Sequence, residues 1–137
     1  MADHLEIIGR IRADIADTIA RFNARDVRGY MAKHAEDIQF AIPMLGGQHD
    51  AGGEWGRGRT AFADYVHLGF DMQGRLELVD LVAAGSSVGV LLVDSNGLRT
   101  ETCLEFGPHG LVTRLFAFPL PGRRRQILGR GAGRAAG

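Results

Sequence analysis

The groups in this 137-residue chain able to carry chemistry are few: five histidines, two tyrosines, one cysteine and sixteen acidic side chains. His34 is the best general acid/base candidate, since an imidazole titrates near neutral pH. The competing reading is a residue that packs or caps the end of its helix, bonded to backbone. Tyr65 is the second candidate, either a hydrogen-bond donor to a ligand carbonyl or an amphipathic core aromatic. His49, Asp50 and Glu54 fall in a polar, glycine-rich stretch and read as catalytic groups over a site or as solvated loop residues. His67 and Asp64 lie on the outer face of a predicted helix, and His4 and His109 at a terminus and a turn, so no role is assigned to them. No metal is expected, because the histidines are scattered and no pair sits at ligand spacing with a carboxylate. GGEWGRGR lacks both the preceding buried strand and the Lys-Ser/Thr ending of a phosphate-cradling loop. WGRGR does open a helix, where an anion would bind weakly. No cofactor is expected.

Composition bounds the classes open to such a chain. Its length is that of one domain with a single core, and 45% hydrophobic with 23% charged residues is ordinary for a globular protein. The formal net charge is zero, but residues 121–137 hold five arginines (Arg123, Arg124, Arg125, Arg130, Arg134) and no acid. The other 120 residues therefore carry a net charge of −5. An acidic body with a basic Gly/Ala-rich tail is unlike a nucleic-acid-binding domain, whose basic residues cluster on the folded surface. A domain over 1–120 and a solvated tail over 121–137 are expected. Cys103 is the only cysteine, so no intrachain disulfide forms and a reducing cytoplasm fits. The opening MADHLEIIGR lacks the basic region and long apolar run of a signal peptide, and no stretch has the length of a membrane span.

The elements that must position these groups follow from periodicity. Ile8, Ile11, Ile15, Ile19 and Phe22 recur at spacings of three and four, predicting an amphipathic helix over 5–23. Asp26 reads as the N-cap of a shorter helix with Val27, Tyr30, Met31 and His34 on one face. Residues 37–42 make a brief strand stopped by Pro43, and 44–57 a long loop of the kind that serves as lid or binding loop. After Gly58 a third helix places Phe62, Tyr65, Val66, Gly69 and Phe70 inward. Beyond Gly74 the period becomes two, predicting strands over 75–84, 87–94, 98–106 and 111–119. Asn96-Gly97 is a hairpin signal, both residues tolerating positive φ. Helices with one short strand, then an antiparallel meander, make an α+β pattern with helices on one face of a sheet.

FNARDVRGYMAKHAEDIQF, GRTAFADYV, DLVAAGSSVGVLLV and CLEFGPHGLVTRLFAF, in that order across residues 5–120, resemble the SnoaL-like branch of the nuclear transport factor 2-like superfamily. The resemblance implies a cone-shaped α+β barrel, with three N-terminal helices packed on a curved antiparallel sheet around a pocket. It also implies a homodimer through the outer sheet face. The superfamily hosts ketosteroid isomerases, polyketide cyclases, scytalone dehydratase, limonene epoxide hydrolase and non-catalytic modules, so fold does not settle function. Aligned on AEDIQFAIP, the isomerase base falls at Ile42, its oxyanion tyrosine at Thr18 and its partner acid at Thr102. All three working groups of that enzyme, one of the handful of standard cases of pKa tuning, are missing. The epoxide hydrolase carboxylate falls at Ala117, and the dehydratase Tyr-Asp pair at Phe22-Asn23.

Alternation then chooses the pocket face. Turning Arg99, Glu101, Cys103 and Glu105 inward would bury charges at several kcal/mol each, so Leu98, Thr100, Thr102, Leu104 and Phe106 face in. On the last strand Leu111, Thr113, Leu115 and Ala117 follow them. The outer face, with Phe116, Phe118, Cys103 and Arg114, suits a dimer interface. The predicted pocket is apolar with scattered hydroxyls: Thr18, Phe22, Tyr30, Phe40, Ile42, Phe62, Thr100, Thr102 and Leu104, beside His34 and Tyr65. Trp55 is expected to fold over its mouth, the competing reading being a fixed ring packed on the outer shell of the third helix. Asp80 shares parity with Leu76, Leu78 and Val82, which makes it a candidate pocket carboxylate unless a bulge turns it outward. Such a pocket takes a hydrophobic small molecule. The resemblance implies a cyclase, isomerase or dehydratase of secondary metabolism acting on a polyketide- or terpenoid-like carbonyl compound. The alternative is a non-catalytic ligand-binding or dimerisation module.

Overall fold

The computed structural model describes residues 4–42 and 56–120. Helix α1 (His4–Asn23) lays the predicted stripe on the sheet, with Ile15 and Phe22 buried and Ile11 and Ile19 packed beside them. It stops at Arg25, whose φ of 62° is left-handed. The amides of Ala24, Arg25 and Asp26 turn back onto the carbonyls of Ala20, Phe22 and Arg21, a helix ending that glycine usually supplies. Asp26 then caps α2 (Val27–Met31) as expected, its Oδ1 accepting from the Gly29 amide at 3.0 Å.

Strand β1 (His34–Ala41) begins three residues earlier than its sequence suggests, because the second helix ends at Met31. His34 therefore opens a strand and does not share a helix face with Tyr30. His34, Ile38 and Phe40 point inward from it and are buried. Gly56 and Arg57, expected as the end of a loop, form the short strand β2 against β1. Gly56 is required there, since a Cβ would lie 2.4 Å from the Phe40 ring. Helix α3 (Arg59–Gln73) buries Phe62, Val66 and Gly69. It follows β1 and β2, so the three helices are not all N-terminal to the sheet.

β3 (Leu76–Ala84), β4 (Ser87–Asp94), β5 (Arg99–Phe106) and β6 (Val112–Pro119) form the expected antiparallel meander. β1 joins it by running parallel to β6, so the six-stranded sheet is mixed, in the order β2-β1-β6-β5-β4-β3, and is not closed. The β4–β5 turn is held by Asp94, whose Oδ1 accepts from the Asn96 and Leu98 amides, with Gly97 at φ 85°.

Two bulges change which side chains face in. Val79 is the extra residue of β3 opposite β4, so Leu81 is buried and Asp80 is exposed, its Oδ1 accepting from the Leu81 amide. Asp80 is not a pocket carboxylate. On β6 the register slips so that Val112 takes the buried position expected of Leu111 and Thr113. The Thr113 hydroxyl instead donates to the Glu105 carbonyl at 3.2 Å. Thr100, Thr102 and Leu104 are buried as alternation requires, and Leu115 and Ala117 with them.

Candidate functional site

Between the helices and the inner sheet face lies a largely apolar cleft of two lobes, with cavity volumes of about 60 and about 80 Å³. The first opens beside α1 and is lined by Thr18, His34, Leu104, Val112, Asp14 and Lys33, among others. The second lies under α3 and is lined by Ile42, Phe62, Tyr65, Gln73, Thr100 and Ala117, among others. The two share six residues: Phe22, Tyr30, Leu76, Leu92, Thr102 and Leu115. Phe40 lines neither lobe. It is fully buried beneath the wall, its ring 5.2 Å from both Phe62 and Tyr65. Trp55, His49, Asp50 and Glu54 lie outside the described residues.

The two candidate catalytic residues are not brought together. His34 lines the first lobe and Tyr65 the second, with Phe62 packed against His34 at 4.9 Å. Folding fixes His34 at three points. Its Nδ1 lies 2.8 Å from the Tyr30 carbonyl, which can only accept, so Nδ1 carries the proton and Nε2 the lone pair. The Tyr30 ring packs 4.8 Å away. The His34 carbonyl in turn accepts two hydrogen bonds from the Arg59 guanidinium, at 3.1 and 2.5 Å. Burial drives the imidazole pKa down to about 4, against a backbone hydrogen bond that raises it and with the Arg59 charge lowering it further. At neutral pH this ring is uncharged: a weak base with no proton to donate as an imidazolium.

The hydroxyls differ in their engagement. Thr18 Oγ1 donates back to the Asp14 carbonyl at 2.9 Å, so this stand-in for a tyrosine is already satisfied by its own helix. Burial alone lifts the Tyr30 phenol to a pKa of about 12. Among the described residues neither the Tyr30 hydroxyl nor those of Thr100 and Thr102 form a side-chain hydrogen bond.

The rim is where sequence reasoning fell short. Lys33, the only lysine, spans from the α2–β1 turn to α1, with Nζ 2.8 Å from Asp14 and 2.9 Å from Asp17. Those hydrogen bonds hold the ammonium above its ordinary range, and the same contact with Lys33 leads in lowering the Asp17 carboxyl. Arg21 extends the network, meeting Asp17 at 2.9 Å and Asp26 at 3.1 Å. The i, i+3 spacing of Asp14 and Asp17 was visible in the sequence, but their partner lies 16 to 19 residues away. Asn23, which stands where the dehydratase pair has its acid, has a structural part instead. Its amide pairs with both backbone groups of Leu76, at 2.9 and 2.8 Å, and ties the end of α1 to the start of β3. Among the described residues no three His, Cys, Asp or Glu side chains are grouped to hold a metal.

These elements, in this order around this cleft, make a fold shared with SnoaL-like and NTF2-like proteins of known structure. The chain is similar to a SnoaL-like protein of unknown function from Burkholderia thailandensis E264, at 19% identity and a TM-score of 0.69, over 80% of this chain and 93% of that one. It is similar to SalBIII, an epoxide hydrolase/cyclase-like enzyme in pyran ring formation in polyether salinomycin, at 20% identity and a TM-score of 0.61, over 82% and 92%. It is also similar to TerC, co-crystallised with polyporic acid, at 18% identity and a TM-score of 0.61, over 77% and 88%. No protein-family model and no curated protein matches the chain. No helix among the described residues is long and apolar enough to cross a membrane.

Proposed function

We propose that this chain is a cofactor-independent enzyme of the cyclase, isomerase or dehydratase type, acting on a polyketide- or terpenoid-like carbonyl compound held in its apolar cleft. The observation that carries the reading is His34: a neutral imidazole, its tautomer fixed by the Tyr30 carbonyl, lining a largely apolar cleft. In the proposed step Nε2 takes a proton from a carbon next to the substrate carbonyl, and the C–H electron pair moves into an enolate. Each unit of pKa mismatch between carbon acid and base adds about 1.4 kcal/mol. A base as weak as His34 therefore suits carbon acids already activated, such as a carbon between two carbonyls. SalBIII as a fold neighbour is consistent with ring-forming chemistry in such a cleft. Thr18, Phe22, Tyr30, Ile42, Phe62, Thr100, Thr102 and Leu104 are the proposed substrate-contacting residues, with Tyr65 as a donor in the second lobe.

A second reading is a non-catalytic ligand-binding module, and the low basicity of His34 favours it. Hydrogen–deuterium exchange separates the two. With aromatic β-keto esters in D2O at neutral pH, the enzyme should speed loss of the central C–H signal, and His34→Gln should cut that acceleration about 10²-fold or more. Binding of the esters with no acceleration over buffer decides for the module.

A further inference from the structure

Of the six residues common to both lobes, four are hydrocarbon at their side chains and two carry a hydroxyl: Tyr30 and Thr102. Thr102 is buried in mid-β5, opposite Val90 on one side and Ala117 on the other. Tyr30 is wedged among aromatic rings, 5.7 Å from Phe22, 4.8 Å from His34 and 6.2 Å from Phe62. Neither hydroxyl is hydrogen-bonded among the described residues, although a buried hydroxyl without a partner costs about 1–3 kcal/mol. The charged groups of the first lobe, Lys33 and Asp14, are already paired with each other at its rim.

We infer that Tyr30 and Thr102 together receive one uncharged acceptor oxygen in the middle of the ligand, whose apolar arms fill the two lobes on either side. The inference rests on the reading of the cleft as a ligand site, and it narrows the ligand class. A ketone or ether oxygen flanked by ring systems satisfies both hydroxyls. A hydrocarbon of the same shape leaves them unpaired. A terminal carboxylate brings a charge to walls whose one cation among the described residues, Lys33, is already paired. The discrimination should be large, because a site with buried polar groups rejects an analogue that lacks the matching atom.

Benzophenone, a ketone between two rings, and diphenylmethane, the same frame without the oxygen, are the matched probes, with biphenyl-4-carboxylate as the terminal anion. Calorimetric titration of the full chain should give a preference for benzophenone over diphenylmethane of about tenfold or more, one to two hydrogen bonds' worth. Biphenyl-4-carboxylate should bind more weakly than benzophenone. Tyr30→Phe and Thr102→Val remove each hydroxyl at nearly constant volume. Each should lower the preference severalfold and the pair should abolish it, while Tm without ligand stays the same or rises. The benzophenone carbonyl stretch should shift to lower frequency on binding, less so in each variant. Equal affinity of wild type for benzophenone and diphenylmethane overturns the inference and leaves the cleft a ligand site. So does a variant that loses several degrees of Tm yet keeps the preference, since its hydroxyl is then structural. If none of the three probes binds wild type, the cleft reading itself falls and the inference with it.

Discussion

At the scale of single residues, burial decides what His34 can do, and the same burial links it to folding. An unfolded histidine takes its proton near pH 6.5, whereas this one holds out to about 4 because the charged ring would lose its water. Between those values the unfolded chain binds more protons than the folded one. Stability is therefore fully present above pH 6.5 and declines as pH falls towards 4, by about 3 kcal/mol if His34 acts alone. Urea titrations at half-unit steps across that window should show the slope, and His34→Gln should flatten it. A wild-type slope that survives the substitution assigns the effect elsewhere. Asp17, held low first by Lys33, loses its stabilisation in the same direction, but below its ordinary carboxyl range and from an exposed position. The assignment of the site was legible in part for the same reason. Residue type named His34 as a titrating group, but an imidazole's pKa is set by its surroundings, and those come from Tyr30 on α2 and from Phe62 and Arg59 on α3.

At the scale of elements, periodicity was sufficient where the backbone is regular. The four strands of the meander and α1 lie within one residue of their predicted bounds, since alternation and the 3.6 period record directly which face is buried. It was insufficient where one residue is added. The bulges at Val79 and Thr113 each reverse inside and outside within a strand, and no residue type there announces it. β2 escaped notice because two residues have no period. The junction of α1 with α3 was equally hidden. Arg25 donates to the carbonyls of Gly74 at 2.9 Å and Phe70 at 3.2 Å and lies 4.6 Å over the Phe70 ring, all from a left-handed backbone. Clamp and strain can be separated by substitution. Arg25→Ala loses the clamp and keeps a side chain at positive φ, while Arg25→Gly loses the clamp and relieves the backbone, so glycine should be the more stable by about 1 kcal/mol. Equal stability would mean the backbone relaxes to negative φ once the guanidinium is gone. Asn23→Ala, which strips two hydrogen bonds from Leu76, should cost about 1–3 kcal/mol in the same denaturation series.

At the scale of the whole molecule, the helices among the described residues pack on the inner sheet face. Outer positions on β5 and β6 hold Glu101, Cys103, Glu105, Arg114, Phe116 and Phe118, with the two phenylalanine rings 5.2 Å apart. Leu91 and Val93 continue the patch on β4. We propose a second copy of this chain as its partner. A two-fold interface needs a surface complementary to itself, and this face carries Glu101 and Glu105 on β5 beside Arg114 on β6, around an aromatic centre. The half-buried phenylalanines are the natural anchors, because aromatic residues at the middle of an interface carry most of its energy. Partial desolvation and the neighbouring Glu101 raise the thiol pKa of Cys103, although the residue is exposed, which keeps it a poor nucleophile on this face. Phe116→Glu combined with Phe118→Lys places charges at the centre of the patch without touching either lobe of the cleft. Sedimentation should find wild type as a dimer and the double variant as a monomer with an unchanged far-ultraviolet spectrum and unchanged benzophenone affinity. A variant that remains dimeric moves the interface to another face, and a monomeric wild type removes it.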